Sequence, residues 1–303
     1  PIVVNIPLNL EWDDVEYQPR PDLTPPAIRL APDPDQLEAA MGVVASAVRP
    51  VIVAGRGAVK SGARDVLVQL GDALGAPLSV SLLATGFFRD EPFDLGIHGT
   101  LSHPVAAETL ASADCLIVFG AGLNYFTTGN QMMLSGKRVV HVDLDPTHID
   151  RYAPVAVGVV GDAKVVAEAM IEMLVAAEHA PSGFRTSDLQ RRLEEFDPAT
   201  TFDDKSYDGA VDPRTLTRRL DEGLPEQRQV VIDGGRFMFD ALTLSVPEPQ
   251  DFFTSHAFGS IGLGTSTAIG VAVARPDHPT VFCVGDGGLM MGGLTELSTA
   301  VHL

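Results

Sequence analysis

Apolar and polar positions follow two alternating rhythms along this chain. Between positions 35 and 48, Leu37, Met41, Val44, Ala45 and Val48 recur at helical spacing, and Pro50 ends the run. Positions 51–54 then form an apolar stretch with no polar interruption, the pattern of a buried strand. The same succession continues for about a hundred residues, with helices predicted at 63–74 and 104–111 and strands at 77–81, 114–119 and 138–143. A helix at 163–178 closes the series. Short β-branched runs without a polar face are what a parallel sheet requires when helices cover both its sides, so the pattern predicts a doubly wound unit over 35–180.

The rhythm restarts after Asp212. Helices are predicted at 213–220, near 237–244, at 264–274 and at 294–301, with strands at 229–232 and 280–284. Between the two units, 181–212 is polar and charged apart from one helix near 189–196, and reads as a connection. Upstream, 7–34 carries seven prolines and no apolar period, and also reads as an extended linker. The first seven residues are apolar without an initiator Met, and the chain stops at Leu303 within a helical pattern, so the sequence reads as a piece of something longer.

Composition narrows the function classes. At 303 residues and 45% hydrophobic content, each unit can bury a core. Forty acidic against 21 basic residues leave a formal charge of -19, which repels phosphate backbones and anionic membranes, so neither nucleic acid nor a membrane is an expected partner. No apolar stretch reaches membrane-spanning length and no signal-peptide pattern opens the chain, which makes the cytoplasm the expected location. Cys115 and Cys283 each sit inside an apolar run and read as buried hydrophobes.

The chemistry concentrates at strand ends. A buried strand running through glycines into a helix points amides at an anion, and Gly285-Asp286-Gly287-Gly288 after 281–284 fits that arrangement. Asp286 adds a hard oxygen suited to magnesium shared with phosphate. A second strand end, Asp233-Gly234-Gly235-Arg236, faces the same crevice if the strands are parallel, and Arg236 is placed to meet a phosphate there. Between them lies Phe258-Gly259-Ser260-Ile261-Gly262-Leu263-Gly264, where glycines permit close backbone approach and Ile261 offers one bulky knob. Gly55-Arg56-Gly57 after a strand can also be read as a dinucleotide fingerprint, but the next glycine, Gly62, comes two residues late for the pattern. His98, His103 and His256 lack a neighbouring carboxylate or metal-ligand spacing and read as structural, with His98 the one worth testing.

The order Asp-Gly-Gly, Gly-Ser-Ile-Gly, Ala-Ile-Gly, Gly-Asp-Gly resembles the cofactor domain of thiamine-diphosphate enzymes. Upstream, 49–57, Leu95-Gly96-Ile97-His98-Gly99, 113–120 and His141-Val142-Asp143-Leu144-Asp145-Pro146 are similar to the central domain of the acetolactate synthase family. The resemblance implies an α/β protein with two doubly wound parallel-sheet units joined by linkers. Residues 1–18 would close a pyrimidine-binding domain, with its last strand at 1–7. Then would come a linker at 19–34, a Rossmann-like central domain at 35–180, a linker at 181–212, and the first part of a diphosphate-binding domain at 213–303.

The resemblance also assigns roles. Asp286 would ligate magnesium, with Gly285, Gly287 and Gly288 on the diphosphate of thiamine diphosphate and Gly234, Gly235 and Arg236 on its other side. Ile261 would hold the cofactor bent, the Gly259 carbonyl would accept from its 4′-amino group, and Ser260 would lie between. The expected reaction is decarboxylation of a 2-oxo acid and transfer of the remaining fragment to a second carbonyl. Simple decarboxylation, as in benzoylformate and pyruvate decarboxylases, is the alternative, and a non-catalytic nucleotide-binding homologue is a third reading. The family's activating glutamate and second magnesium ligand would lie outside these 303 residues, so the piece alone is expected to be silent. A homodimer or homotetramer is implied, with the active site between subunits. For the FAD of acetolactate synthases the matching positions are Gly55, Gly57, Gly96, His98, Gly120, Asp143 and Asp162. After Gly120, however, this chain reads Ala121-Gly122-Leu123-Asn124-Tyr125-Phe126 where the synthases carry an arginine and acidic residues.

Overall fold

Strands rich in β-branched residues collect into two parallel sheets in the computed structural model, which describes residues 5–16, 18, 29–255, 257–292 and 294–302. The first sheet is built from β1 (Pro50–Ala54), β2 (Leu78–Val80), β3 (Asp94–Ile97), β4 (Cys115–Phe119), β5 (Arg138–Asp143) and β6 (Val157–Val160), in the order β3-β2-β1-β4-β5-β6. The second contains β7 (Gln229–Ile232), β8 (Phe252–Thr254) and β9 (Thr280–Cys283), in the order β8-β7-β9. Every pairing is parallel, as the unbroken apolar runs predict.

Successive side chains of a strand leave opposite faces, and here both faces find a core. Ile52, Ala54, Ile117, Phe119, Val140 and Val142 point to one core, while Val51, Val53, Leu116, Val118 and Val139 point to the other. The first core is covered by α1 (Pro34–Ala45), α2 (Arg56–Ser61), α3 (Arg64–Leu74) and α6 (Ala163–Ala176). The second is covered by α4 (Pro104–Ser112), the segment around α5 (Tyr125–Thr128) and α7 (Ser187–Glu194). Each fully buried Ile, Leu or Phe contributes about 1.5–3 kcal/mol relative to exposure. Helix starts are fixed locally: the Asp33 carboxylate accepts from the Asp35 and Gln36 amides with Pro34 at the first position, and Asp162 caps α6 in the same way.

Three strands absent from the sequence expectation, β3, β6 and β8, all lie at sheet edges and are only partly buried, so they lack an unbroken apolar signature. Opposite β3 the register shifts, pairing Leu78 with Asp94 but Val80 with Ile97. The expected connection at 181–212 needs correction in its first half, which is docked on the central unit rather than extended. Leu189 of α7 is buried in the second core, the Ser182 amide donates to the Leu74 carbonyl at 2.9 Å, and Arg185 pairs with Asp72 at 2.5 Å. Most of the strand expected at 1–7 lies outside the described residues, as does 19–28 of the expected linker.

The second unit adds α8 (Pro213–Gly223), α9 (Met238–Ala241), α10 (Gly264–Ala274), α11 (Asp286–Gly292) and α12 (Thr295–His302). Its larger core gathers Val230, Ile232, Leu242, Leu244 and Phe252, and Leu82 and Leu101 of the first unit pack against it. Arg89 ties the units further, donating to the Val246 carbonyl at 3.2 Å and pairing with Glu226 at 3.0 Å. Among the described residues, no helix is long and apolar enough to cross a membrane.

Candidate active site

Parallel pairing in register brings the carboxyl ends of β7, β8 and β9 together, since Ile232 stands opposite both Thr254 and Cys283. Ligands of open α/β sheets collect at such an edge. The Asp233 amide donates to the Cys283 carbonyl at 3.0 Å, and the Ser255 amide to the Ile232 carbonyl at 3.0 Å, which extends both ladders into the loops.

Three glycine-bearing segments then close on one another. A Cβ on Gly234 would stand 2.4 Å from the Ser260 carbonyl oxygen, and one on Gly288 would stand 2.6 Å from Asp233 Oδ2. Ile261 is 45% exposed and stands between these two loops, with Cγ1 3.4 Å from the Cβ position on Gly234 and Cγ2 3.4 Å from that on Gly288. Ser260 therefore packs through its backbone, and Ile261 presents half its side chain to the open side. Phe258 and Gly259 are both left-handed (φ 60° and 70°), and the Phe258 ring is wholly exposed. At Phe258 the β-carbon makes that conformation unfavourable, and strain of this kind gathers at functional sites.

Asp286 opens α11, is exposed, and has no hydrogen-bond or ion-pair partner among the described residues. The amides of the first helical turn, Asp286 to Gly288, have no intrahelical acceptor. Arg236 is likewise exposed and unpaired among the described residues, on the opposite loop. Among the described residues no three His, Cys, Asp or Glu side chains cluster as a protein-only metal cage. Magnesium does not need one, because it is held by one or two carboxylates together with phosphate oxygens and water.

The structure thus brings the segments 234–236, 259–261 and 285–288 to one sheet edge, with direct approaches of Gly234 to Ser260 and of Ile261 to Gly234 and Gly288, while Gly235, Arg236, Gly259, Gly285, Asp286 and Gly287 stand on these segments without such an approach. Sequence reasoning placed Asp233 in the turn at 233–236 without giving it a role, and missed Ser255. Asp233 is fully buried, and its carboxylate accepts from Ser255 Oγ at 3.1 Å and from the Gly262 amide at 2.8 Å. The only signal for it is its place directly after a β-branched run and before two glycines.

The second candidate group lies at the carboxyl edge of the first sheet, around the point where strand order reverses between β1 and β4. Gly55, Gly57 and Gly120 meet there backbone to backbone, and the Gly57 amide donates to the Gly120 carbonyl at 2.9 Å. Gly96 and His98 stand at the end of β3, Asp143 ends β5, and Asp162 follows β6. The carboxylates are already engaged: Asp143 accepts from the Asp145 amide and meets His148 at 3.3 Å, while Asp162 caps α6. His98 is 3% exposed, with Nδ1 2.7 Å from the Thr127 carbonyl and Nε2 without a partner among the described residues. Burial holds it below the ordinary histidine pKa, so it is neutral at pH 7. His103 is structural as expected, capping α4 and stacking on Phe196, whereas His256 lies outside the described residues. Cys115 is buried as expected, and burial pushes its thiol up to about 12; Cys283 is corrected to half-buried, because β9 is only partly covered, and its thiol is raised by what burial it has.

Comparison with protein families matches residues 37–170 to the central domain of thiamine pyrophosphate enzymes, and residues 233–303 to their C-terminal thiamine pyrophosphate-binding domain. Together the two matches span well over half of the chain, which belongs to the thiamine pyrophosphate enzyme family. Among curated proteins it is similar to acetolactate synthase large subunits. That of Haemophilus influenzae is 29% identical over 273 residues, covering 88% of this chain and 47% of the relative. The isozyme 3 large subunit of Escherichia coli K12 is 29% identical over 274 residues, with the same coverage. A probable large subunit from Methanocaldococcus jannaschii is 27% identical over 309 residues, 99% of this chain and 52% of the relative. The chain spans about half the length of the curated relatives it matches.

Proposed function

We propose that the carboxyl edge of β7, β8 and β9 binds thiamine diphosphate with Mg2+, and that the complete protein decarboxylates a 2-oxo acid and joins the remaining fragment to a second carbonyl. The observation that carries this is the convergence of three glycine-bearing loops on one edge, with an unpaired carboxylate, free helix-start amides and an unpaired arginine around an apolar knob. These groups fit a magnesium diphosphate. Asp286 would take the cation, the amides of Gly287 and Gly288 would take phosphate oxygens, and Gly234, Gly235 and Arg236 would close the other side.

When bound, thiamine diphosphate supplies the carbon nucleophile and the electron sink for loss of carbon dioxide. The chain's own part would be orientation: Ile261 would fill the space beneath the cofactor, and the Gly259 carbonyl would accept a hydrogen bond from its amino group. The names of the relatives favour carboligation over plain decarboxylation. Exposed Leu263, Met290, Met291, Leu294 and Val301 beside the site support assembly into a homodimer or homotetramer that shares it. Chain 1–303 alone is proposed to be silent, because neither the activating glutamate nor the second magnesium ligand that the family resemblance implies matches a residue of these 303.

The central unit does not fit FAD. Asp143 and Asp162 are spent on local contacts, and the loop 121–134 carries no charged side chain for a dinucleotide. Purified protein is expected to show no flavin absorbance. The function itself is tested by incubating full-length protein with pyruvate, thiamine diphosphate and Mg2+ and analysing the products. Acetolactate supports ligation, acetaldehyde reassigns the enzyme to simple decarboxylation, and no cofactor-dependent turnover sinks the proposal.

A further inference from the structure

We infer that Asp233 is the positioning residue of this site: its buried carboxylate sets the spacing of the three loops that would grip a magnesium diphosphate, without touching the ligand. The inference rests on the cofactor reading above and adds a residue to which that reading gives no role.

The carboxylate is fully buried, and no cation pairs with it among the described residues; Arg236, three positions on, points its charge to solvent. Burying an unpaired carboxylate costs stability, and two neutral hydrogen bonds, from Ser255 Oγ at 3.1 Å and the Gly262 amide at 2.8 Å, do not restore what water would provide. An apolar residue of similar size would fill the same space at lower cost. What Asp233 gives in exchange is geometry. Ser255 follows β8, Gly262 belongs to the central glycine segment, and Gly288 lies so close that its Cβ would stand 2.6 Å from Oδ2. The Asp233 backbone is tied to β9 through the Cys283 carbonyl at 3.0 Å. One side chain therefore touches every element that carries a proposed cofactor contact. Its grip on Gly262 also fixes the adjacent Ile261, which stands against both Gly234 and Gly288. Groups that orient a metal or phosphate site from behind its direct ligands typically change affinity by about 10–100-fold when removed.

The test uses full-length protein, measuring thiamine diphosphate affinity at saturating Mg2+ by quenching of intrinsic fluorescence, beside the melting temperature of the cofactor-free protein. Asp233→Leu removes both hydrogen bonds and is expected to weaken binding about tenfold or more, with a cofactor-free melting temperature no lower than wild type. Asp233→Asn can accept from Gly262 and donate to Ser255, and is expected to restore affinity to within about threefold. If Asp233→Leu binds the cofactor like wild type, or if its affinity falls only in step with its melting temperature, the inference is wrong. Should Asp233→Leu fail to fold, Ser255→Ala decides. It removes one grip only and is expected to weaken binding about threefold, and wild-type affinity there overturns the inference. Wild-type protein that takes up no thiamine diphosphate would instead sink the cofactor reading, and Asp233's role with it.

Discussion

The two sheets are built on one plan but are covered differently. The first has a core on each face, and β1 and β4 are buried at every position. The second has a substantial core on one face and a thin one of Val231, Ala268 and Val271 on the other, with β9 only half-buried along its length. Around that thinner unit stand the exposed apolar side chains of α10, α11 and α12. The difference separates two tasks. The central unit is held by its own interior, whereas the cofactor unit leaves apolar surface and polar loop groups uncommitted, as a surface that meets ligand and partner requires.

The comparison can be broken most forcefully in the central core. Ile117→Ala is expected to cost about 2–5 kcal/mol, read as a shifted denaturant midpoint. Val271→Ala in the thin cluster should cost only about 1 kcal/mol, so equal losses would erase the distinction. Next comes Asp286→Ala. Its side chain is exposed, so the melting temperature should hold while cofactor-dependent kcat/KM drops by about 100-fold or more; retained activity would remove Asp286 from the metal site.

A smaller effect separates the units by pH. Burial pushes the Asp94 carboxyl in β3 from 3.8 up to about 6, opposed in part by the Gly96 amide it accepts from at 2.8 Å. Because the folded value lies above the unfolded one, the protonated form favours the fold. That contribution is complete below about pH 3.8 and is lost as pH rises through about 6. Asp94→Asn keeps an acceptor for Gly96 and should flatten the stability curve across this window and raise neutral-pH stability; an unchanged curve would deny the shift. Least of all, Leu294→Ser on the exposed face should move stability by no more than about 0.5 kcal/mol while lowering the apparent mass in light scattering. An unaltered mass would disconnect that face from assembly.

Legibility followed burial. β1, β4, β5 and β7 were readable because both sides of each strand face apolar neighbours, so the sequence shows unbroken apolar runs. β3, β6 and β8 were not, because an edge strand mixes in residues such as Asp94, Gly96 and Gly158 that serve loops and turns. The docking of α7 was hidden because it rests largely on one apolar residue, Leu189. In the candidate site, glycines and Asp286 announce themselves through local spacing. Asp233 does not, since its hydrogen-bond partners are 22 and 29 residues away and only the sheet brings them near.

The meeting of Gly55, Gly57 and Gly120 bears on how relatives of this chain are compared. A Cβ on any of them would fall 2.3–2.7 Å from the facing backbone, a distance no side chain tolerates. Selection for folding alone would therefore keep these glycines, through gain or loss of any bound nucleotide. A shared glycine signature at this spot testifies to how two strands join and is mute about what sits above them. The history of a flavin in such proteins has to be traced through exposed side chains such as Tyr125 and Phe126, because Ala121 and Leu123 are held by the core and Asn124 caps α5.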